Sequence, residues 1–159
     1  MSRNRVIGRG GALPWRMPAD MRRFKQRTLG SAVILGRKTW DTMNGSPLPR
    51  RTNVIISRDA TFAAEGAVVV HDLDAAIDAA RDAHPDAMEL FVVGGSEIYR
   101  LALPRADRID LTVIDTIVND GDAFFPEFEN DAAWRLVREE PQSPDERNPF
   151  AYAFRTYER

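Results

Sequence analysis

The chain has 159 residues, the length of one ordinary domain, and we predict a single domain over residues 1–159. Hydrophobic residues make up 43% and charged residues 29%, with a net charge of −2, which is typical of a globular protein without a nucleic-acid footprint. Cysteine is absent and only two histidines occur, so no metal site is predicted, and the lack of a long apolar run leaves a cytoplasmic protein as the expectation.

Helical and strand-like segments alternate through the first two thirds of the chain. After Pro18, helical spacing of Met17, Met21, Phe24 and Thr28 predicts a helix, and further helices are predicted at 39–43, at 73–80 with Asp72 as its cap, and at 96–103. Short runs rich in β-branched residues predict strands at 32–35, 53–57, 67–70, 90–93 and 109–114. Because the four-residue runs among them do not alternate with polar residues, they suit a parallel sheet buried on both faces.

The last segments have a different pattern. Residues 134–137 and 151–157 predict two strands that flank a polar loop at 141–149, which is typical of an antiparallel hairpin. The predicted fold is therefore α/β, with three layers, a mainly parallel sheet and an antiparallel C-terminal hairpin.

Asp20 is the first residue whose position suggests chemistry. It lies three residues after Met17 and four before Phe24, and thus on the apolar side of the predicted helix. One interpretation is an acid in the first turn that the helix dipole favours. The other is a carboxylate in an apolar cleft that binds a polar heterocycle. Trp15 alone is more typical of a core aromatic residue.

Three predicted strands end in glycine, hydroxyl or cationic residues. Gly36-Arg37-Lys38-Thr39 follows one strand, Ser57-Arg58 the next, and Gly94-Gly95-Ser96 a third. Ligands of parallel sheets gather at the carboxyl ends of strands, and these residue types suit a phosphate. The alternative is that they are surface charges and tight turns.

A proline-rich segment carries two arginines, Pro47-Leu-Pro-Arg-Arg51. It is either a surface turn or a rigid loop that presents a guanidinium to a carboxylate.

The ordered set of motifs resembles dihydrofolate reductase of the bacterial chromosomal type over nearly the whole chain. The matching residues run from Arg5 to Tyr157 and comprise Arg5-Val-Ile-Gly8, Leu13-Pro-Trp15, Pro18-Ala-Asp20, Phe24, Gly36-Arg-Lys-Thr-Trp40, Pro47-Leu-Pro49, Arg51, Val93-Gly-Gly95, Tyr99, Thr112, Asp122 and Phe125-Pro126. The resemblance implies reduction of 7,8-dihydrofolate with NADPH by a monomer that binds no nucleic acid or membrane.

The resemblance also implies roles for individual residues. The catalytic set is Asp20, Trp15, Tyr99 and Thr112, with Asp20 bound to the pterin and Thr112 as its partner. Residues implied to bind the substrate are Met21, Phe24, Met43, Leu48, Arg51, Val93 and Thr112, with Arg51 on the glutamate carboxylate. Residues implied to bind NADPH are Ile7, Gly8, Leu13, Gly36, Arg37, Lys38, Thr39, Ser57, Arg58, Val93, Gly94, Gly95, Ser96, Glu97, Ile98 and Tyr99.

Within the cofactor set, the resemblance implies that Arg37, Ser57 and Arg58 meet the 2′-phosphate of NADPH and that the Gly94–Gly95 peptide is cis. It implies that residues 8–13 form a loop over the nicotinamide, steadied by Asp122.

One departure concerns the start of the chain. The family has an apolar central strand before the Arg5-Val-Ile-Gly8 motif, whereas only Met1-Ser-Arg-Asn4 precedes it here. We therefore expect unpaired strand edges and low stability, and a start upstream of Met1 in the natural protein. Two alternative functions remain: the related pyrimidine reductase of riboflavin synthesis, and a ligand-binding relative with little activity.

Overall fold

The computed structural model describes all of residues 1–159. Its helices are α1 (Pro18–Thr28), α2 (Arg37–Thr42), α3 (Leu73–Ala83) and α4 (Ser96–Ala102), followed by a 3-10 turn at Leu103–Arg105. Its strands are β1 (Val6–Gly8), β2 (Ala32–Gly36), β3 (Thr52–Ile56), β4 (Val68–Val70), β5 (Phe91–Gly94), β6 (Arg108–Ile114), β7 (Ala123–Phe124), β8 (Arg135–Gln142) and β9 (Tyr152–Glu158). None of the helices combines the length and the apolar composition that a membrane span requires.

The chain divides into two compact units. The first comprises Met1–Arg23 and Leu103–Arg159, and the second comprises Phe24–Ala102. Helix α1 begins in the first unit and ends in the second.

The second unit is a parallel sheet in the order β4-β3-β2-β5. All five residues of β2 are buried, as the uninterrupted apolar run predicted. The core that includes Ile34, Val54 and Ala76 joins the sheet to α3. Asp72 caps α3 as predicted, because its side chain accepts a hydrogen bond from the Ala75 N–H at 2.8 Å.

The first unit contains an antiparallel sheet in the order β6-β9-β8 and the two-stranded pair β1-β7. The predicted C-terminal hairpin is therefore confirmed as β8 and β9. Residues Pro141 and Gln142 belong to β8 and not to the predicted loop. Proline is tolerated there because β8 is an edge strand, where a missing N–H breaks no ladder on the open side.

The N-terminal residues lie along β6, which is an edge strand of the antiparallel sheet. Ser2 forms a parallel bridge with Ile114, and the Ile114 N–H donates to the Met1 carbonyl at 2.8 Å. Ser2 is fully buried, and its hydroxyl accepts a hydrogen bond from the Val6 N–H at 3.0 Å. This short segment therefore satisfies part of the β6 edge.

Candidate functional site

The carboxyl ends of three strands in the second unit lie side by side. In the parallel register, Gly36 of β2 pairs with Ile56 of β3, and Leu35 pairs with Gly94 of β5. The residues that follow these strands therefore meet at one edge of the sheet, as the sequence predicted. They are the predicted cofactor residues Arg37, Lys38 and Thr39 after β2, Ser57 and Arg58 after β3, and Gly95, Ser96, Glu97, Ile98 and Tyr99 after β5.

Close packing at this edge explains its glycines. A Cβ on Gly36 would lie 2.9 Å from the Ile98 side chain, and one on Gly95 would lie 3.2 Å from the Thr39 hydroxyl. Gly94 has a φ of +112° and lies against the Tyr99 ring, and the Gly94–Gly95 peptide is cis, as the resemblance implied. Gly94 is buried and Gly95 is half-buried beside the Thr39 hydroxyl, so this close packing leaves little room for side chains at either position.

The two predicted phosphate-binding arginines have carboxylate partners. A terminal nitrogen of Arg37 donates to Asp59 at 3.0 Å, and its Nε lies 3.8 Å from Asp41. Arg58 lies 3.8 Å from Glu97 and is largely exposed. Ser57 is buried, and its hydroxyl accepts a hydrogen bond from the Asp59 N–H at 3.2 Å. The Ser57 hydroxyl proton is not used in that bond.

A cavity of about 360 Å³ in the first unit brings four predicted site residues together. Leu13, Trp15, Asp20 and Met21 line it, with Arg16, Met17 and Pro18. Asp20 is the only acid among them. Trp15 is half-buried against the apolar cluster of Met17, Ile114 and Tyr152, so one face of the cavity is a fixed apolar surface.

Asn148 holds the start of α1, and the sequence did not reveal this role. Its side-chain oxygen accepts a hydrogen bond from the Ala19 N–H at 3.0 Å, and its nitrogen donates to both Asp145 oxygens at 2.9 and 3.0 Å. Hydrogen bonds from Asn148 and from the Arg147 N–H hold the pKa of the Asp145 carboxyl below its usual value. Asn148 thus fixes the backbone one residue before Asp20.

The Met1 amino group lies on β6, and its pKa is affected by burial and by the charge of Asp20. It donates to the Thr112 carbonyl at 2.6 Å. Burial lowers its pKa to about 6, and the negative charge of Asp20 partly offsets that shift. The predicted pairing of Thr112 with Asp20 stays a prediction.

Burial also raises the pKa of the Tyr152 phenol, and the charges of Asp145 and Asp20 add to the rise.

The segment after Ile7 is a tight turn whose backbone is bound by Asp122. Arg9 and Ala12 exchange backbone hydrogen bonds of 2.9 and 3.1 Å, while Gly10 and Gly11 have φ values of +56° and +78° that favour glycine. Asp122 accepts from the Gly10 N–H at 2.7 Å, and its own N–H donates to the Gly8 carbonyl at 3.1 Å. The implied contact of Asp122 with this loop is therefore present.

The ion pair of Arg9 with Asp120 is a second attachment of the loop that sequence reasoning missed. One terminal nitrogen of Arg9 donates to both Asp120 oxygens at 3.1 and 3.2 Å.

Hydrogen bonds to residues of the second unit orient the Arg51 side chain. Its Nε donates to the Thr28 hydroxyl at 2.8 Å, and its terminal nitrogens donate to the Pro49 and Lys25 carbonyls at 3.0 and 3.2 Å. Its guanidinium carbon lies 5.7 Å from the centre of the Phe24 ring. A guanidinium has five N–H donors, so one remains on each terminal nitrogen, which suits a bidentate carboxylate. Desolvation by partial burial lowers the Arg51 pKa, and the like charge of Arg50 lowers it further.

The loop before Arg51 is anchored by Asn53, another residue that the sequence did not single out. Asn53 is buried in β3, accepts from the Leu48 N–H at 2.9 Å, and donates to the Leu48 and Arg51 carbonyls at 3.0 Å. The signal for Asn53 in the sequence was a polar residue within an apolar strand.

The predicted substrate residues Met43, Leu48 and Val93 pack against one apolar cluster that contains buried Trp40.

These features define an α/β protein with a cationic, glycine-lined strand edge, an apolar cavity with one acid, and an oriented arginine. A family model described as dihydrofolate reductase matches residues 1–159. The chain is 40% identical to "Dihydrofolate reductase type 3" of Salmonella typhimurium, over all of this chain and 94% of that protein. It is 38% identical to the dihydrofolate reductase of Bacillus subtilis, over all of this chain and 90% of that protein.

A solved structure supports the same assignment. The dihydrofolate reductase of Enterococcus faecalis, complexed with NADP(H) and RAB-propyl, superposes with a TM-score of 0.89 at 33% identity, over all of this chain and 92% of that one. The chain belongs to the dihydrofolate reductase family.

Proposed function

We propose that the chain reduces 7,8-dihydrofolate to 5,6,7,8-tetrahydrofolate with NADPH. The reaction takes one hydride from NADPH and one proton, and it releases NADP⁺. The observation that carries the proposal is the placement of Asp20, the sole acid lining the apolar cavity that Trp15 and Met21 share. Membership of the dihydrofolate reductase family favours this reaction over the pyrimidine reductase alternative.

The residues at the strand edge of the second unit fit NADPH chemically. The half-buried backbone at Gly95, which has no side chain and lies next to the Thr39 hydroxyl, suits the close approach of a diphosphate. Arg37, Arg58 and the Ser57 hydroxyl suit the 2′-phosphate, because charged donors bind phosphate oxygens strongly. NADPH, when bound, supplies the hydride.

The substrate has an apolar ring system and an anionic tail, and the chain offers partners for both. Met43, Leu48 and Val93 provide apolar surface for the ring and linker groups. The two remaining N–H donors of Arg51 take the glutamate carboxylate. The negative charge also relieves the unfavourable burial of the Arg51 cation.

Asp20 binds the polar edge of the pterin and favours its protonation during the reaction. The hydrogen bond from the Ala19 N–H to Asn148 fixes the first turn of α1, so the backbone that carries Asp20 is held in place before substrate binds. The loop of residues 9–12, held by Asp122, excludes water from the reacting atoms. The enzyme acts as a monomer in the cytoplasm.

Asp20→Asn tests the proposal. We expect dihydrofolate-dependent NADPH oxidation to fall about 10²- to 10⁴-fold, the usual contribution of a general acid, while the dissociation constant of NADPH stays unchanged. Asp78→Asn, which makes the same charge change at an exposed position of α3, is the matched control.

Near-normal turnover of the Asp20→Asn variant would contradict the assignment of Asp20. An unsubstituted protein that reduces a phosphorylated pyrimidine, or binds folate without turnover, would favour one of the alternatives and overturn the proposed reaction.

A further inference from the structure

A carboxylate lies beside the cation that is proposed to bind the 2′-phosphate. Asp59 uses one oxygen to accept from the Thr61 N–H at 3.0 Å and from the Thr61 hydroxyl at 2.7 Å. Its other oxygen accepts from Arg37 at 3.0 Å. The carboxylate is therefore fixed by its own loop and presents its second oxygen to the guanidinium.

The remaining contacts of Arg37 keep its guanidinium in this place. Its carbon lies 5.5 Å from the centre of the Phe62 ring, and its Nε lies 3.8 Å from Asp41 on the next turn of α2. Hydrogen bonds from Thr61, supported by the charge of Arg37, hold the pKa of the Asp59 carboxyl below its usual value. Asp59 is thus an anion whenever a nucleotide binds near neutral pH.

A 2′-phosphate on Arg37 must share this guanidinium with the Asp59 anion. The phosphate carries about two negative charges, so like-charge repulsion weakens its binding even in a solvated site. A ribose 2′-hydroxyl has no charge to repel, and acidic residues accept hydrogen bonds from this hydroxyl in NAD-binding folds. The two cofactors therefore differ in how they respond to the same side chain.

We propose that Asp59 is a specificity-determining residue that reduces the preference of the site for NADPH over NADH. The inference rests on the proposed function, because it takes NADPH as the cofactor at the strand edge. Asp59 offsets the positive charge that Arg37 presents to the 2′-phosphate and leaves the binding of the rest of the dinucleotide unchanged.

Asp59→Asn removes the charge and keeps an oxygen that can accept from Thr61. We expect the dissociation constant of NADPH, measured by quenching of tryptophan fluorescence, to fall about five- to tenfold, as a Coulomb interaction in a high-dielectric site allows. The dissociation constant of NADH should stay within about twofold. Asp78→Asn controls for net charge, and Asp41→Asn should have a smaller effect because Asp41 lies farther from the guanidinium.

The gain for NADPH should shrink when the salt concentration is raised, because exposed charges are screened. Weaker NADPH binding by Asp59→Asn would show that Asp59 positions Arg37 for the phosphate, and it would overturn the inference. An equal change for both cofactors, or none, would also overturn it. If the unsubstituted protein bound neither NADPH nor NADH, the proposed function would fail together with the inference, which separates this result from the other two.

Discussion

The proposed binding side chains are oriented by hydrogen bonds to neighbouring residues, and Arg51 is the clearest case. Three of its donors are used by Thr28, Pro49 and Lys25, so the rest point in a set direction. We predict that Arg51→Ala raises the KM for dihydrofolate about 10- to 100-fold, since truncating one partner of a desolvated charge pair is costly. The KM for NADPH should change little.

Steady-state kinetics with two substrates checks this prediction. A pterin that lacks the glutamate tail should bind the Arg51→Ala variant as well as it binds the unsubstituted protein. Arg81→Ala removes the same side chain from the exposed end of α3 and should leave both KM values unchanged. If the tailless pterin loses affinity to the same extent, Arg51 supports the loop and not the tail.

The residues that orient others were the ones hardest to predict from the sequence. Asp20 and Arg37 stood out because each is a charge next to apolar residues or a glycine, and Arg51 stood out because it follows a proline-rich turn. Asn148, Asn53 and Asp59 act through hydrogen bonds, and Asn148 acts on a residue more than a hundred positions away in the chain. A single sequence carries no record of such a pairing, although burial of a polar residue in β3 demanded some partner for Asn53.

At the scale of elements, the buried strands were predictable and the shortest strands were not. β2 and β3 follow from dense β-branched runs, which suit a sheet covered on both faces. β1 and β7 have only three and two residues, so no periodicity marks them. Gly121 is required beside this pair, since a Cβ there would lie 2.4 Å from Val6. The pairing of β1 with β7 brings Asp122 to the loop of residues 9–12.

The attachment of this loop can be tested by comparing two neighbouring aspartates. Asp122→Ala removes the acceptor of the Gly10 N–H, and we expect turnover to fall about tenfold because the loop closes less often over the reacting groups. Asp120→Ala removes only an exposed ion pair with Arg9, which contributes little to stability, so its turnover should stay within about twofold.

Rapid-mixing measurement of hydride transfer separates the two variants from a general loss of stability. The thermal midpoint of Asp122→Ala should match that of the unsubstituted protein, because the loop lies at the surface. Equal losses of turnover in both variants would mean that the loop is held by the sum of its attachments and not by Asp122.

At the scale of the whole molecule, burial of the Met1 amino group on β6 makes the stability of the 159-residue chain depend on pH. Its pKa is about 6 in the folded chain, below the ordinary value of 8.0, because burial disfavours the charge. Between these two values the unfolded chain binds more protons than the folded one. The free energy of unfolding should therefore rise as the pH increases from about 6 to 8 and then level off, by about 2 kcal/mol.

Urea denaturation of the 159-residue chain, prepared with a free Met1 amino group, measures this dependence at pH 6 and pH 8.5. The N-acetylated chain is the matched control, since it keeps both histidines and every carboxylate but has no amino group to titrate. Its stability should vary less over this range, and the difference between the two chains isolates the contribution of Met1. An acetylated chain with the same slope would assign the pH dependence to other groups and would show that the amino group is solvated in the folded protein.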